Sequence, residues 1–176
     1  MEDRSQRGGA TSAFLLTQLG TQAAMKFAER LSELGLSPPH AGILRVIGGS
    51  TGLSQQELAR TLSMLPSRLV VLVDELQEKD LVERRDSLED RRVYELHLTA
   101  KGRQTWESVA RIAVEHDDAF CAALNKGERE QLLALLRKLA EAQGLTPGVH
   151  PGYKRMGGSE GPPPGMHRPP SGRRGG

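Results

Sequence analysis

Residues 53–102 constrain this chain most, because two short amphipathic helices separated by a tight turn run directly into two short apolar-alternating segments flanked by arginines. Leu53-Ser54-Gln55-Gln56-Glu57-Leu58 opens the first helix: Ser54 can accept from the amide of Glu57 while the Glu57 carboxylate accepts from the amide of Ser54. Leu53 and Leu58 close the same entry as a hydrophobic staple. Leu58, Ala59 and Leu62 then fall on one buried stripe, so this helix, ending near Thr61 or Leu62, is a supporting element.

After a turn at Ser63 and Met64, Pro66 fits the first position of a second helix, since its fixed φ suits the helix and its missing N–H would have no intrahelical partner there. Leu65 is a poor N-cap. Leu69, Leu72, Val73 and Leu76 share one face, which turns Ser67, Val70, Val71, Asp74 and Glu78 outward and leaves Arg68 on the flank. Such an outward row suits a DNA major groove. Ser67 and the free amides of the helix start can hold a phosphate, Arg68 can read guanine or a phosphate, and Val70 and Val71 can pack against thymine methyls. Gln55 and Pro66 complete the candidate DNA-binding set on the two helices, while Asp74 and Glu78 lie toward the far end. The same residues also describe a packed αα-hairpin that never meets DNA, and on the helices alone both readings stay open.

Residues 81–85 and 93–98 read as two strands, with Tyr94, Leu96 and Leu98 alternating against Val93, Glu95 and His97. Asp86, Ser87, Leu88, Glu89 and Asp90 form a polar turn between them. A thin arm tipped by Arg84, Arg85, Arg91 and Arg92 can enter a narrow minor groove, where phosphates concentrate negative potential. Asp90 can hold the Arg92 guanidinium and aim it. By composition alone, however, Glu83, Asp86, Glu89 and Asp90 balance the four arginines, and a solvated charge cluster is the simpler reading.

The arrangement resembles the multiple antibiotic resistance regulator (MarR) type of winged helix-turn-helix transcription factor, over about residues 12–143. Asp90-Arg91-Arg92 followed by Leu98-Thr99-Ala100-Lys101-Gly102 is similar to that family's wing signature. Pro66-Ser67-Arg68, Val73-Asp74-Glu75-Leu76 and Leu81-Val82-Glu83-Arg84 resemble its recognition helix and exit. The resemblance implies a homodimer, a minor-groove role for Arg92 oriented by Asp90, and an effector pocket between the dimer helices and the reading head, near His40. A partly buried structural histidine is the plainer reading of His40. The chain departs from the family pattern in two ways: Asp80 stands where glycine is common, and Val70 and Val71 stand where many members are polar. Aspartate tolerates the left-handed backbone better than most residues, so the turn at Asp80 is expected to survive.

The flanks complete a mainly helical fold with a small β-hairpin wing. Leu16, Leu19, Ala23, Phe27, Leu31 and Leu34 recur every three or four residues within a helix over 11–34, and Ser37-Pro38-Pro39 starts another through Ile47. Thr99 caps a helix to about Leu124, and Asn125 with Glu128 caps a last one carrying Leu132, Leu133, Leu135, Leu136 and Leu139. The expected organisation is a polar start over 1–10, a winged-helix domain over 11–144 with dimerisation helices 11–34 and 99–143 around a reading head at about 37–98, and a disordered Gly/Pro-rich tail over 145–176. The outer helices carry more apolar surface than a small head needs, which suits burial against a second copy, although the stripes can also close the monomer's own core. A two-fold dimer sets its recognition helices about 34 Å apart and demands a near-palindromic operator.

Charge refines this picture. The tail holds Lys154, Arg155, Arg168, Arg173 and Arg174 against Glu160, so with a whole-chain charge of +2 the remainder is net acidic. DNA affinity must then come from local placement of arginines; the tail can add a nonspecific grip on phosphates, or serve only as a solubilising end. One cysteine, Cys121, excludes an internal disulfide framework, and with no basic neighbour it does not suit oxidant sensing. Glu115, His116, Asp117 and Asp118 adjoin in sequence, but neighbours on a helix point apart, so no metal is expected. The loop Gly48-Gly49-Ser50-Thr51-Gly52 lacks the Lys-Ser/Thr of a phosphate cradle. No cofactor, membrane span or catalytic constellation is expected. The reading is a cytoplasmic, bacterial, homodimeric regulator, a repressor by preference, that binds double-stranded DNA and is released by a small aromatic or anionic effector; a winged-helix protein-interaction module is the alternative.

Overall fold

Side-chain caps set where the helices begin. In the computed structural model, which describes residues 11–50, 52–87 and 94–154, Thr11 Oγ1 accepts from the Phe14 amide at 3.3 Å and starts α1 (Ser12–Ser32). Pro38 follows Ser37 to start α2 (Pro38–Gly48). The Ser54–Glu57 capping box forms as its spacing requires, with the Glu57 amide 3.3 Å from Ser54 Oγ and the Ser54 amide 2.9 Å from Glu57 Oε2. It opens α3 (Gln55–Thr61), and α4 (Pro66–Glu78) follows a four-residue turn. Thr99 and Asn125 cap α5 (Ala100–Phe120) and α6 (Lys126–Ala142) in the same way.

Between the helices lie β1 (Leu53–Ser54), β2 (Val82–Asp86) and β3 (Tyr94–Leu98), a three-stranded antiparallel sheet in the order β1-β3-β2. Val82 faces Leu98 and Arg84 faces Leu96, which turns Val82, Leu96 and Leu98 inward. The strand β1 is an addition to what periodicity shows. Two residues carry no alternation to detect, and Leu53 and Ser54 already serve as staple and cap; they also pair with Leu96 and Glu95, tying the start of α3 to the wing.

The core forms where the predicted stripes meet. Leu58, Ala59 and Leu62 of the supporting helix, and Leu69, Leu72, Val73 and Leu76 of α4, are all buried beside Ile43, Leu44 and Leu31. The outer helices behave differently. Phe14, Leu15, Leu16 and Leu19 lie exposed on the first half of α1, and α6 has no buried residue at all although five leucines line it. Those stripes do not close the chain's own core.

The first ten residues assigned to the tail, 145–154, do not stand off the body. The chain does not leave the body at Leu145: Val149 packs on the core, a 3-10 turn forms at Pro151–Lys154, and Tyr153 is 7% exposed. A Gly/Pro-rich composition argues against a core of its own, but a single aromatic can dock on a surface that other residues build. Residues 155–176, and 1–10, lie outside the described residues.

The exit from α4 shows how Asp80 replaces glycine. Its φ is 59°, the left-handed region in which aspartate is among the better tolerated residues. Thr99 Oγ1 donates to the Asp80 carbonyl at 2.7 Å and locks the turn to the start of α5. Asp80→Val is expected to lower the unfolding free energy by about 1–2 kcal/mol, because a β-branched residue pays most for that conformation, whereas Asp80→Gly should stay within about 0.5 kcal/mol. Urea titrations of the three proteins measure the difference.

Candidate nucleic-acid interface

The turn between α3 and α4 presents the second helix. Ser63 adopts φ 50°, its amide donates to the Arg60 carbonyl at 3.0 Å, and the Met64 amide reaches back to Ala59 at 2.9 Å while the Met64 side chain is buried. These bonds consume the last carbonyls of α3 and reverse the chain within four residues. Leu65, the N-cap of α4, offers no side-chain acceptor, and Pro66 has no amide, so the first turn of α4 is uncapped and open to solvent.

The outward row is placed as the 3.6-residue period requires. Ser67, Val70, Val71, Asp74 and Glu78 are exposed and Pro66 borders them. Val70 and Val71 stand 39% and 48% exposed, so both valines leave a large apolar area in solvent. Arg68 lies on the flank, half-buried, and its Nε is buried with no hydrogen-bond partner among the described residues. A guanidinium N–H left without a partner in this way is costly.

Arg84 has a different place from the one expected. It is not a tip residue: it sits mid-strand in β2, with Nη2 2.7 Å from Asp74 Oδ1 and 3.3 Å from Gln55 Oε1 and with Nη1 bonded to Gln77. The guanidinium thereby joins the wing strand to α3 and α4. Arg85 is likewise engaged, its Nε donating to Glu83 Oε1 at 3.0 Å. Gln55 and Arg84, both in the expected DNA-binding set, are brought together as a brace. Asp74, which the sequence turns outward, and Gln77, which carries no sequence signal, complete it; nothing in their local spacing announces a partner on a strand ten or seven residues away. Asp90, Arg91 and Arg92 lie outside the described residues, while the strands carrying that loop end paired at Asp86 and Tyr94.

His40 is 5% exposed and both ring nitrogens are engaged. Nδ1 accepts from the Ser37 amide at 3.2 Å, so the neutral ring carries its proton on Nε2 and donates it to Glu75 Oε2 at 2.8 Å. The imidazole thus caps α2 and ties it to α4. Burial holds His40 below the usual imidazole pKa, against the hydrogen bond and charge of Glu75, which pull it up. His116, packed between Phe27 and Phe120, is lowered in the same direction by burial. The unfolded chain therefore binds more protons than the folded one near pH 6, and stability present above pH 6.5 is lost as pH falls below it. Chemical denaturation at pH 7.5 and 5.5 should show this loss, and His40→Gln, which keeps a capping side chain, should reduce it. An unchanged pH dependence in that variant would exclude His40 as its source.

The acidic stretch beside His116 does not converge. Glu115 faces Arg30 at 3.9 Å and Asp118 pairs with Arg129 at 2.8 Å. No group of three His, Cys, Asp or Glu side chains placed to hold a metal occurs among the described residues.

Known proteins share this architecture and sequence. A putative transcriptional regulatory protein for the hcr operon of Thauera aromatica is 37% identical over 113 residues, covering 64% of this chain and 68% of the relative. The repressor Rv2887 of Mycobacterium tuberculosis is 29% identical over 130 residues, covering 74% and 94%; its structures with DNA and with salicylic acid superpose with TM-scores of 0.64 and 0.61. The repressor CouR bound to a 23-mer DNA duplex, 27% identical, superposes with a TM-score of 0.68 over 80% of this chain and 99% of its own. The MarR family profile matches residues 34–93, the segment that builds α2, the helix pair and the first wing strand, β2. Sequence identity and backbone geometry therefore agree on the same elements in the same order, and the chain belongs to the MarR family of transcriptional regulators.

Proposed function

We propose that the chain is a repressor that binds a near-palindromic DNA duplex as a homodimer, inserting the first turns of α4 in the major groove. The observation that carries this reading is the exposed, uncapped start of α4, where Ser67, Val70 and Val71 face solvent beside the unpaired Nε of Arg68. Phosphate suits the Ser67 amide and hydroxyl, since the Arg68 and Leu69 amides already donate to the Leu65 carbonyl; a base edge or phosphate suits Arg68, and thymine methyls suit the valines. Arg91 and Arg92, aimed by Asp90, would serve the adjacent minor groove. Arg84 and Gln55 would hold the wing against α4 and meet phosphate only at the edge of their brace. Rv2887 and CouR, both solved with DNA, support the partner.

The exposed apolar rows of α1 and α6 supply the dimer surface. A small aromatic or anionic effector would act by favouring a spacing of the two heads that does not match the operator, as the salicylic acid complex of Rv2887 suggests for the ligand class. His40 would respond to it through Glu75 on α4. No helix among the described residues is long and apolar enough to cross a membrane.

Duplexes selected from a random pool, followed by fluorescence anisotropy at several salt concentrations, test the reading. Arg68→Ala and Arg92→Ala should each weaken binding by about 1–3 kcal/mol while the fold persists. No duplex binding at low salt would favour the protein-interaction module instead.

A further inference from the structure

The chain beyond α6 returns to the reading head. Gly144, at φ 65°, ends α6 with the Leu145 amide on the Ala140 carbonyl at 2.9 Å, and Gly148, at φ 70°, turns the chain again. Arg45 of α2 donates to the Gly148 carbonyl at 2.7 Å across 103 residues of sequence. Tyr153 then lies in a notch on α2. Its hydroxyl donates to the Pro38 carbonyl at 3.1 Å, and a Cβ at Gly42 would stand 2.8 Å from that hydroxyl and 3.3 Å from two ring carbons. The notch exists because residue 42 has no side chain. A cleft of about 1000 Å³ separates the last turns of α6, at Leu136, Arg137, Ala140 and Glu141, from this segment. The strap is therefore seated on α2 rather than on the helix it follows.

Its seat is in the first turn of α2, which also carries Ser37 and His40. His40 in turn reaches Glu75 on α4, so one short relay runs from the Tyr153 hydroxyl through the first turn of α2 to the helix with the exposed Ser67, Val70 and Val71. We infer that residues 145–154 form a latch whose seating on α2 holds α4 in its DNA-binding setting, with Tyr153 as the positioning residue; this rests on the DNA-reading function proposed above. A strap ordered only when docked restricts the settings available to the head, and preorganisation of that kind strengthens binding without adding a contact to DNA. The coupling is reciprocal: a bound duplex must favour the seated strap by the same factor.

Three full-length variants separate this role from simple stability. Tyr153→Ala removes the ring, Tyr153→Phe keeps it and loses the bond to Pro38, and Gly42→Leu fills the notch while favouring the α2 helix. Hydrogen exchange across 145–154 reports seating, thermal unfolding reports the body, and anisotropy on a selected duplex reports DNA affinity. Tyr153→Ala and Gly42→Leu are both expected to free the strap and weaken DNA binding about five-fold or more, a usual size for coupled sites, with Tyr153→Phe, which keeps the seated ring but loses the bond to Pro38, falling between them and the wild type. Gly42→Leu should lose affinity without losing thermal stability, which a purely structural strap would not produce. In the wild type, adding the duplex should slow exchange across 145–154. A freed strap with wild-type or tighter DNA binding would overturn the latch. A wild type with a protected strap that binds no duplex would sink the DNA reading itself.

Discussion

Gly102→Ala is expected to cost about 3 kcal/mol or more and to leave the wing and α5 undocked at temperatures where the wild type is intact. A Cβ at residue 102 would lie 1.9 Å from the Leu81 carbonyl oxygen and 2.9 Å from its carbon. Those are backbone atoms, so no rotamer change relieves the clash. The Leu81 carbonyl also accepts from the Thr99 amide at 3.2 Å, and the Gly102 amide is held by Thr99 Oγ1 at 2.9 Å, so either side can retreat only by breaking the cap of α5. The useful control is Gly127→Ala in the first turn of α6, where a Cβ meets only Asn125 Oδ1 at an ordinary 3.5 Å. Urea unfolding should place the two variants on opposite sides of the wild type, since alanine favours a helix that has room for it. Equal stability of both would mean that α5 and the wing do not pack as closely as described.

The second large effect concerns assembly. Leu135→Glu combined with Leu139→Lys should convert the protein to a monomer and lower affinity for a two-half-site operator by about 100-fold, since linked half-sites gain that much from avidity. Both leucines are exposed and α6 buries nothing within its own protomer, so the head should stay folded, and the Glu-to-Lys spacing of four preserves the helix. Light scattering coupled to size exclusion reads the mass, and anisotropy reads the affinity. A double variant that remains dimeric and binds as tightly as wild type would remove α6 from the interface.

These two positions mark the two kinds of information in the chain. Gly102 is visible in the sequence as the end of Leu-Thr-x-x-Gly, yet its purpose is a contact with Leu81, twenty-one residues back, that no local pattern reveals. The leucines of α6 are visible as a stripe, and it took the folded chain to show that the stripe faces away from its own core. The outward row of α4 was legible to the residue, because the helical period and the burial of Leu69, Leu72, Val73 and Leu76 leave only one face for Ser67, Val70 and Val71. Arg84 was not. Counted along the chain it belongs to an arginine-rich arm, but Asp74, Gln77 and Gln55 converge on it from two helices and turn a candidate groove contact into a brace.

Caps, turns and helix faces were within reach of the sequence alone because each is decided by residues three or four apart: Ser54 with Glu57, Asn125 with Glu128, Thr99 with Gly102, and the left-handed turn that Asp80 accepts. The two-residue strand β1, the His40–Glu75 tie and the seat of Tyr153 on α2 joined residues 35 to 115 positions apart or pairs too short to show a period. Such contacts leave no periodic trace, since either partner taken singly reads as an ordinary polar or aromatic residue. Only the packing of α2 against α4 and the return of the chain past α6 brought them to bonding distance.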